Sequence, residues 1–234
     1  MKIKITHKLT DTDILNIHKL LDACYEKDNI KYTPYLGEEG CNNDIFIMAY
    51  DKNTLTGFLY CFDNDISEVS VYVHPEYRRQ GIATRLFKKL PRNEYILSGK
   101  NTGFAKSLGF TDKYHEFLME YDPSESTLSD CTCHTKSDNI FLYSENNTEI
   151  ANCSIFEEEH TINIYDIYVE PDYRNRGYGR KLLTSVLKEL TATGKRIILQ
   201  VSELNTPAYR LYVSLGFKVV DSVLFSGGYN ESGK

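Results

Sequence analysis

Two short runs in this 234-residue chain put arginine and glycine where an anion could be held. One is Val73-His-Pro-Glu-Tyr-Arg78-Arg-Gln-Gly81-Ile-Ala83; the other is Val169-Glu-Pro-Asp-Tyr-Arg174-Asn-Arg-Gly177-Tyr-Gly179. Each reads as the end of a β-strand, a proline-containing turn, Arg-x-x-Gly-x-(Gly/Ala), and then an amphipathic helix. That order gathers backbone N–H groups and the positive end of a helix at one point, where a pyrophosphate can dock. In the second run Gly177 and Gly179 lack Cβ atoms where backbone must approach such a ligand, and Arg174 and Arg176 add cationic donors. The first run offers Arg78, Arg79, Gly81 and Ala83 for the same purpose. By itself the run also fits an ordinary turn into a helix, so the surrounding elements decide its weight.

Those elements repeat. Val73 and Val169 lie 96 residues apart (169 − 73), and Ser107-Leu-Gly-Phe110 recurs as Ser214-Leu-Gly-Phe217, 107 residues on (217 − 110). Two landmarks in the same order imply two related halves, the second with extra residues between its landmarks. Alternation of apolar residues predicts strands over 2–6, 44–50, 55–62 and 66–73, then 95–98 and 116–121. Asp11 is the expected cap of a helix carrying Ile14, Ile17, Leu21 and Cys24, and Ile82, Leu86 and Leu90 form a short helix stopped by Pro91. In the second half the pattern predicts strands over 140–143, 149–156, 161–169, 196–201 and 218–223. Helices carry Leu182, Leu183, Val186, Leu187 and Leu190, and then residues 206–215. The opening strand and long helix have no counterpart in that half. The fold class is therefore α/β, as two tandem domains, each a twisted mixed sheet flanked by helices. Residues 1–122 form the first domain, the polar stretch 123–138 a linker, and 139–234 the second domain.

Composition excludes several alternatives. With 41% hydrophobic and 26% charged residues the chain is an ordinary globular protein, and its net charge of −6 disfavours nucleic acid as a partner. The N-terminus lacks a signal-peptide core and no stretch is apolar enough to span a membrane, so a cytoplasmic location is expected. Six cysteines without framework spacing are expected to stay reduced. Cys131-x-Cys133-His134 offers three clustered ligands but no second cluster to complete a zinc site, and no metal is expected.

The run from Asp166 through Arg180, with Asn205-Thr-Pro-Ala-Tyr-Arg-Leu-Tyr212-Val-Ser-Leu-Gly-Phe217 downstream, closely resembles the GNAT superfamily of acetyl-CoA-dependent N-acetyltransferases. The resemblance covers nearly the whole second half; in the first it covers the opening helix, the strands and the loop, and the downstream motif only in part. It implies acetyl-CoA as cosubstrate, bound by Arg174, Asn175, Arg176, Gly177, Tyr178, Gly179, Arg180 and Asn205. The pantetheine arm would pair with the main chain at Ile167 and Val169, beside a strand that splays from its neighbour. Tyr212 would be the phenol that hydrogen-bonds the CoA sulfur and protonates the departing thiolate, although its helical face is also that of a core tyrosine. Aligned on Ser-Leu-Gly-Phe, the first half has Ala105 where the second has Tyr212. Arg78, Arg79, Gly81 and Ala83 are thus a possible second CoA site in a non-catalytic half.

The implied reaction is direct attack of a neutral primary amine on the thioester in a ternary complex. Asp166 is one candidate for the base, and Glu157, Glu158, Glu159 and His160 are others that equally suit a solvated turn. The acceptor is a small molecule or peptide, and a cationic one suits the acidic chain; residues 32–37 with Glu38 and Glu39 could wall its cleft. A monomer or homodimer is expected. The alternative is a CoA-binding regulatory or scaffold protein without turnover.

Overall fold

The computed structural model describes residues 1–30, 44–62, 67–100, 102–125, 135–137 and 139–231. Residues 32–39 and Cys131-x-Cys133-His134 lie outside them. Among the described residues no group of three or more His, Cys, Asp or Glu is placed to hold a metal, and no helix is long and apolar enough to cross a membrane.

The chain divides into two units, Met1–His115 with Ser222–Lys234, and Glu116–Asp221. In the first unit the elements are β1 (Lys2–Thr6), α1 (Asp11–Asp28), β2 (Ile45–Asp51), β3 (Thr54–Phe62), β4 (Glu68–Val73), α2 (Ile82–Phe87), β5 (Glu94–Gly99) and α3 (Thr102–Ser107). β6 (Thr111–Tyr121) follows, with residues 111–115 in the first unit and 116–121 in the second. The second unit continues with β7 (Thr135–Ser137), β8 (Ile140–Glu145), β9 (Thr148–Glu157), β10 (Thr161–Val169), α4 (Tyr178–Thr191), β11 (Arg196–Ser202) and α5 (Thr206–Leu215). β12 (Phe217–Tyr229) closes the chain, its residues 217–221 in the second unit and 222–229 in the first.

The first sheet runs β1-β2-β3-β4-β5-β12, with only β4 and β5 parallel among the pairs whose register is described. The second runs β7-β8-β9-β10-β11-β6, with only β10 and β11 parallel. Both are mixed sheets with helices packed on them, as the patterning requires. The sequence boundaries at Asp122 and Asn139 differ from the observed units. Residues 116–120 pair with β11, and Met119 and Tyr121 are buried in the second core, so a cut at 139 would remove that strand from the core. β12 runs six residues beyond the predicted 223, because 224–229 pair with β5. Its Gly227-Gly228 hides the strand pattern, and the reason for glycine is close approach: a Cβ on Gly228 would lie 2.3 Å from the Phe110 ring.

Local signals account for the helices. Thr10, not Asp11, caps α1: the Thr10 hydroxyl accepts from the Asp13 N–H while the Asp13 carboxylate accepts from the Thr10 N–H at 3.0 Å. Ile17, Leu20, Leu21 and Cys24 then face Phe46, Met48, Phe58 and Tyr60 on β2 and β3. α2 ends at Phe87, before the predicted stop at Pro91, and the buried Asn230 amide donates to the carbonyls of Phe87, Leu90 and Pro91. α4 buries Leu182, Leu183, Val186, Leu187 and Leu190 on the second sheet. α5 starts at an Asn205 cap and ends at Gly216 in the left-handed region.

Candidate active site

The site in the second unit begins where two parallel strands part. β10 pairs with β11 only from Thr161–Arg196 to Ile164–Leu199, while β10 itself continues to Val169 along β9. Beyond Ile164 the β11 side of β10 therefore faces a gap. The register of β10 against β9 shifts between Tyr165 and Tyr168, and Asp166 has φ 49°, so a bulge sits at the mouth of the gap. Its signature is in the sequence and was missed there. Ile162-x-Ile164-x-x-Ile167-x-Val169 breaks alternation by one residue, whereas Val69-x-Val71-x-Val73 in the first half does not. Both sets face their cores, since Ile162 and Ile164 are buried with Ile167 and Val169 packed beside them, and Val69 is buried with Val71 and Val73 beside it.

After Val169 the chain turns through Pro171–Tyr173 into α4. The Arg174 Nε–H donates to the Val169 carbonyl at 2.9 Å, and Asn175 and Gly177 both have positive φ. Gly177, at φ 82°, is the cap of α4 and carries no side chain to satisfy the first N–H groups of the helix. Those donors, in a loop of exposed residues, form a concavity suited to an anion. A Cβ on Gly177 would meet nothing within 4 Å; one on Gly179 would lie 3.2 Å from Leu211. Glycine at 179 thus lets α5 pack closely on α4, a reason the sequence reading attributed to the ligand.

The other implied contacts divide. The Arg174 guanidinium lies 5.5 Å from the Tyr168 ring centre and Arg176 5.8 Å from that of Tyr173. Arg180 is turned to α5, donating to the Ser214 carbonyl and hydroxyl. Tyr178 donates to Glu145 at 3.0 Å, in a cluster with no local sequence signature. There the Tyr143 hydroxyl donates to Glu145 at 2.8 Å, and the Lys181 ammonium reaches both Tyr143 and Glu145. Hydrogen bonds from Tyr143, Lys181 and Tyr178 hold the Glu145 carboxyl below its usual range. Asn205 caps α5 by accepting from the Ala208 N–H at 3.3 Å. The Val169 carbonyl is already occupied by Arg174, which leaves the main chain around Ile167 as the part of β10 facing the gap without that contact.

Tyr212 lies on α5 within the second core, its ring 6.0 Å from that of Phe217. Burial, with a smaller contribution from Cys153, pushes its phenol up to about 12. Asp166 is exposed at the bulge, and Glu157, Glu158, Glu159 and His160 are exposed at the far end of β10. Glu157 is paired with Lys195, Glu158 accepts from the Thr161 hydroxyl, and Glu159 lies 3.7 Å from His160. Of these candidates, Asp166 is the one at the bulge.

The first unit repeats the loop backbone with different side-chain partners. Arg78 Nε–H donates to the Val73 carbonyl at 3.0 Å, and Arg79 and Gly81 have positive φ as Asn175 and Gly177 do. Yet the rest of the Arg78 guanidinium is held by both oxygens of Asp28, at 2.8 and 2.7 Å, from the end of α1. Cys24 donates to the same Val73 carbonyl. β4 and β5 also part after Ser70–Ser98, but with no register shift, and a hydrogen bond between those two hydroxyls bridges the strands there. Ala105, buried on α3, stands in the place of Tyr212.

A mixed sheet whose central parallel strands part beside a glycine-capped loop and helix defines an acyltransferase-type fold. The model of the acetyltransferase (GNAT) family matches residues 14–92 and again 108–217, and the chain belongs to that family. Among curated relatives, a [ribosomal protein bS18]-alanine N-acetyltransferase of Haemophilus ducreyi is 33% identical over 88 residues, 37% of this chain and 54% of that protein. The match thus spans about half of that relative's length. A mycothiol acetyltransferase of Corynebacterium glutamicum is 26% identical, covering 80% of this chain and 82% of its own. A solved GCN5-related N-acetyltransferase from Sphaerobacter thermophilus shares the fold with a TM-score of 0.72 at 14% identity, covering 99% of this chain and 98% of that one. A tandem GNAT protein from the clavulanic acid biosynthesis pathway does so at 0.68 and 12%, covering 97% and 98%.

Proposed function

We propose that the protein transfers an acetyl group from acetyl-CoA to a primary amine in a ternary complex, and that the second unit alone does so. The observation that carries this reading is the bulge at Tyr165 and Asp166 on the lip of the gap, next to the glycine-capped loop; the first unit has the loop without the bulge. Free N–H groups at the start of α4, with Arg174 and Arg176, take the pyrophosphate. The main chain at Ile167 takes the pantetheine amide as an added strand would. The amine nitrogen attacks the thioester carbonyl carbon, the C–N bond forms and the C–S bond breaks. Asp166 receives the amine proton, directly or through water, and Tyr212 donates to the departing sulfur.

With its phenol pushed up to about 12, Tyr212 is a weak acid towards a thiolate whose conjugate acid lies near ~8.5. Its main contribution is a hydrogen bond that strengthens as charge builds on sulfur, with full proton delivery left to solvent. The same shift keeps it protonated across the working range, so loss of activity below about pH 11 does not arise from this group. For the first unit the supported reading is a scaffold. Arg78 is held by Asp28, α2 has six residues, and Ala105 has no proton to give.

The test is acetyl transfer by the full chain to a panel of primary amines, following CoA thiol release and acetylated product together. Product formation above thioester hydrolysis is expected. Acetyl-CoA binding without transfer to any amine or peptide would instead support the regulatory alternative.

A further inference from the structure

The outer face of the second sheet, opposite α4, forms a groove that the first unit does not have. Across that face the pairing sets two rows, Ile140–Ser154–Tyr165 and Leu142–Asn152–Tyr168. The outer members are apolar; Ile140, Tyr165 and Tyr168 are open, at 42%, 44% and 41% exposure, and Leu142 is half-buried. The middle members, on β9, are small and polar. In the first unit the matching rows are Phe46–Tyr60–Ser70 and Met48–Phe58–Tyr72. There the middle is aromatic, and α1 covers it with Ile17, Leu20, Leu21 and Cys24. A face made for such a helix is apolar at its centre, whereas Asn152 and Ser154 put hydrogen-bonding groups there. With neighbouring strands ~4.8 Å apart, the walls on β8 and β10 stand about 10 Å apart, the width of one extended chain or one ring.

One end of this groove is the active gap itself. Tyr165 is the first residue of β10 beyond its pairing with β11, and Asp166 follows it in the bulge. Tyr168 is steadied by Arg174 over its ring, so that wall is fixed by the same loop that faces the cosubstrate. A cationic amine drawn to Asp166 would thus have its substituent laid between aromatic walls over an amide-binding floor.

We propose that this groove binds the acceptor, and that the acceptor is the α-amine of a peptide or amino-acid amide with a bulky apolar first side chain. The inference rests on the second unit being the acetyltransferase. The apolar side chain lies against Tyr165 and Ile140, and the amide meets Asn152 and Ser154. An α-amine also loses its proton more readily than an alkyl amine, with a pKa near ~8, so more of it is neutral and ready to attack near pH 7.

The experiment is steady-state acetylation of phenylalaninamide and glycinamide by the full chain, with acetyl-CoA binding measured separately by calorimetry. The expected kcat/KM for phenylalaninamide is at least about 10-fold that for glycinamide. Tyr165→Ala should lower the ratio of kcat/KM for phenylalaninamide over glycinamide about 10-fold, while acetyl-CoA affinity by calorimetry stays within about twofold; Tyr165→Phe should retain the preference. Ser154→Leu, which fills the floor, should weaken phenylalaninamide likewise. Equal use of both amines, no use of either with acetyl-CoA bound, or variants that affect both alike would overturn the groove as acceptor site. Failure of the wild-type chain to bind acetyl-CoA would overturn the underlying reading instead.

Discussion

Gly177→Glu should abolish acetyl-CoA binding, with affinity reduced at least about 100-fold in calorimetry and acetylation lost with it. Three effects act together. The residue sits at φ 82°, which costs a side chain roughly 1 kcal/mol or more. A carboxylate placed among the free N–H groups of α4 competes for them and repels a diphosphate. The space its Cβ enters is empty of protein within 4 Å, so the steric conflict is with the ligand and the unit should still fold. Gly177→Ala carries the backbone strain without the charge and should retain measurable binding. Melting temperatures of the two variants close to each other, with binding lost only in the glutamate form, would separate strain from occupancy of the site. Equal, unchanged affinities in both would remove the loop from the binding account.

Tyr212→Phe should leave acetyl-CoA affinity within a few-fold and lower kcat by about 10–10³. The ring packs in the core beside Phe217, so phenylalanine preserves the packing and deletes only the donor. Because the phenol remains protonated to about pH 11, the loss should be the same across pH 6–9.5 when kcat is compared for the two proteins. A deficit that appears only at one end of that range would mean that another group titrates in its place. An unchanged kcat would assign sulfur stabilisation to water.

The division of the site between what the sequence reveals and what it hides follows from its physics. The loop is a local object: strand end, proline turn, Arg-x-x-Gly, helix. Its backbone came out alike in both copies, from the 3₁₀ turn to the left-handed Gly81 and Gly177. Asn205 and Gly216 likewise fix α5 by cap chemistry that short range determines. What depends on tertiary partners was not legible. No local pattern announces that Asp28 holds Arg78, that Arg180 turns to Ser214, or that Tyr178 is tied to Glu145. Gly179 and Gly228 were ambiguous for the same reason, since each is glycine because another element, α5 or Phe110, comes close. The bulge is an intermediate case. Its broken alternation was readable against the strict alternation of the first copy, but the two halves were aligned only at the loop and at Leu-Gly-Phe. The sharing of β6 and β12 between the units could not be read at all, because pairing partners so distant in sequence leave no periodic trace.

The central claim is that one acetyl-CoA site exists, in the second unit. Its most direct test is titration of the full chain with acetyl-CoA, alongside the variants Gly177→Glu and Gly81→Glu, each checked by thermal melt. The account predicts one site per chain, lost in Gly177→Glu and kept at full stoichiometry in Gly81→Glu. Two sites per chain, or binding that survives Gly177→Glu and disappears in Gly81→Glu, would contradict it.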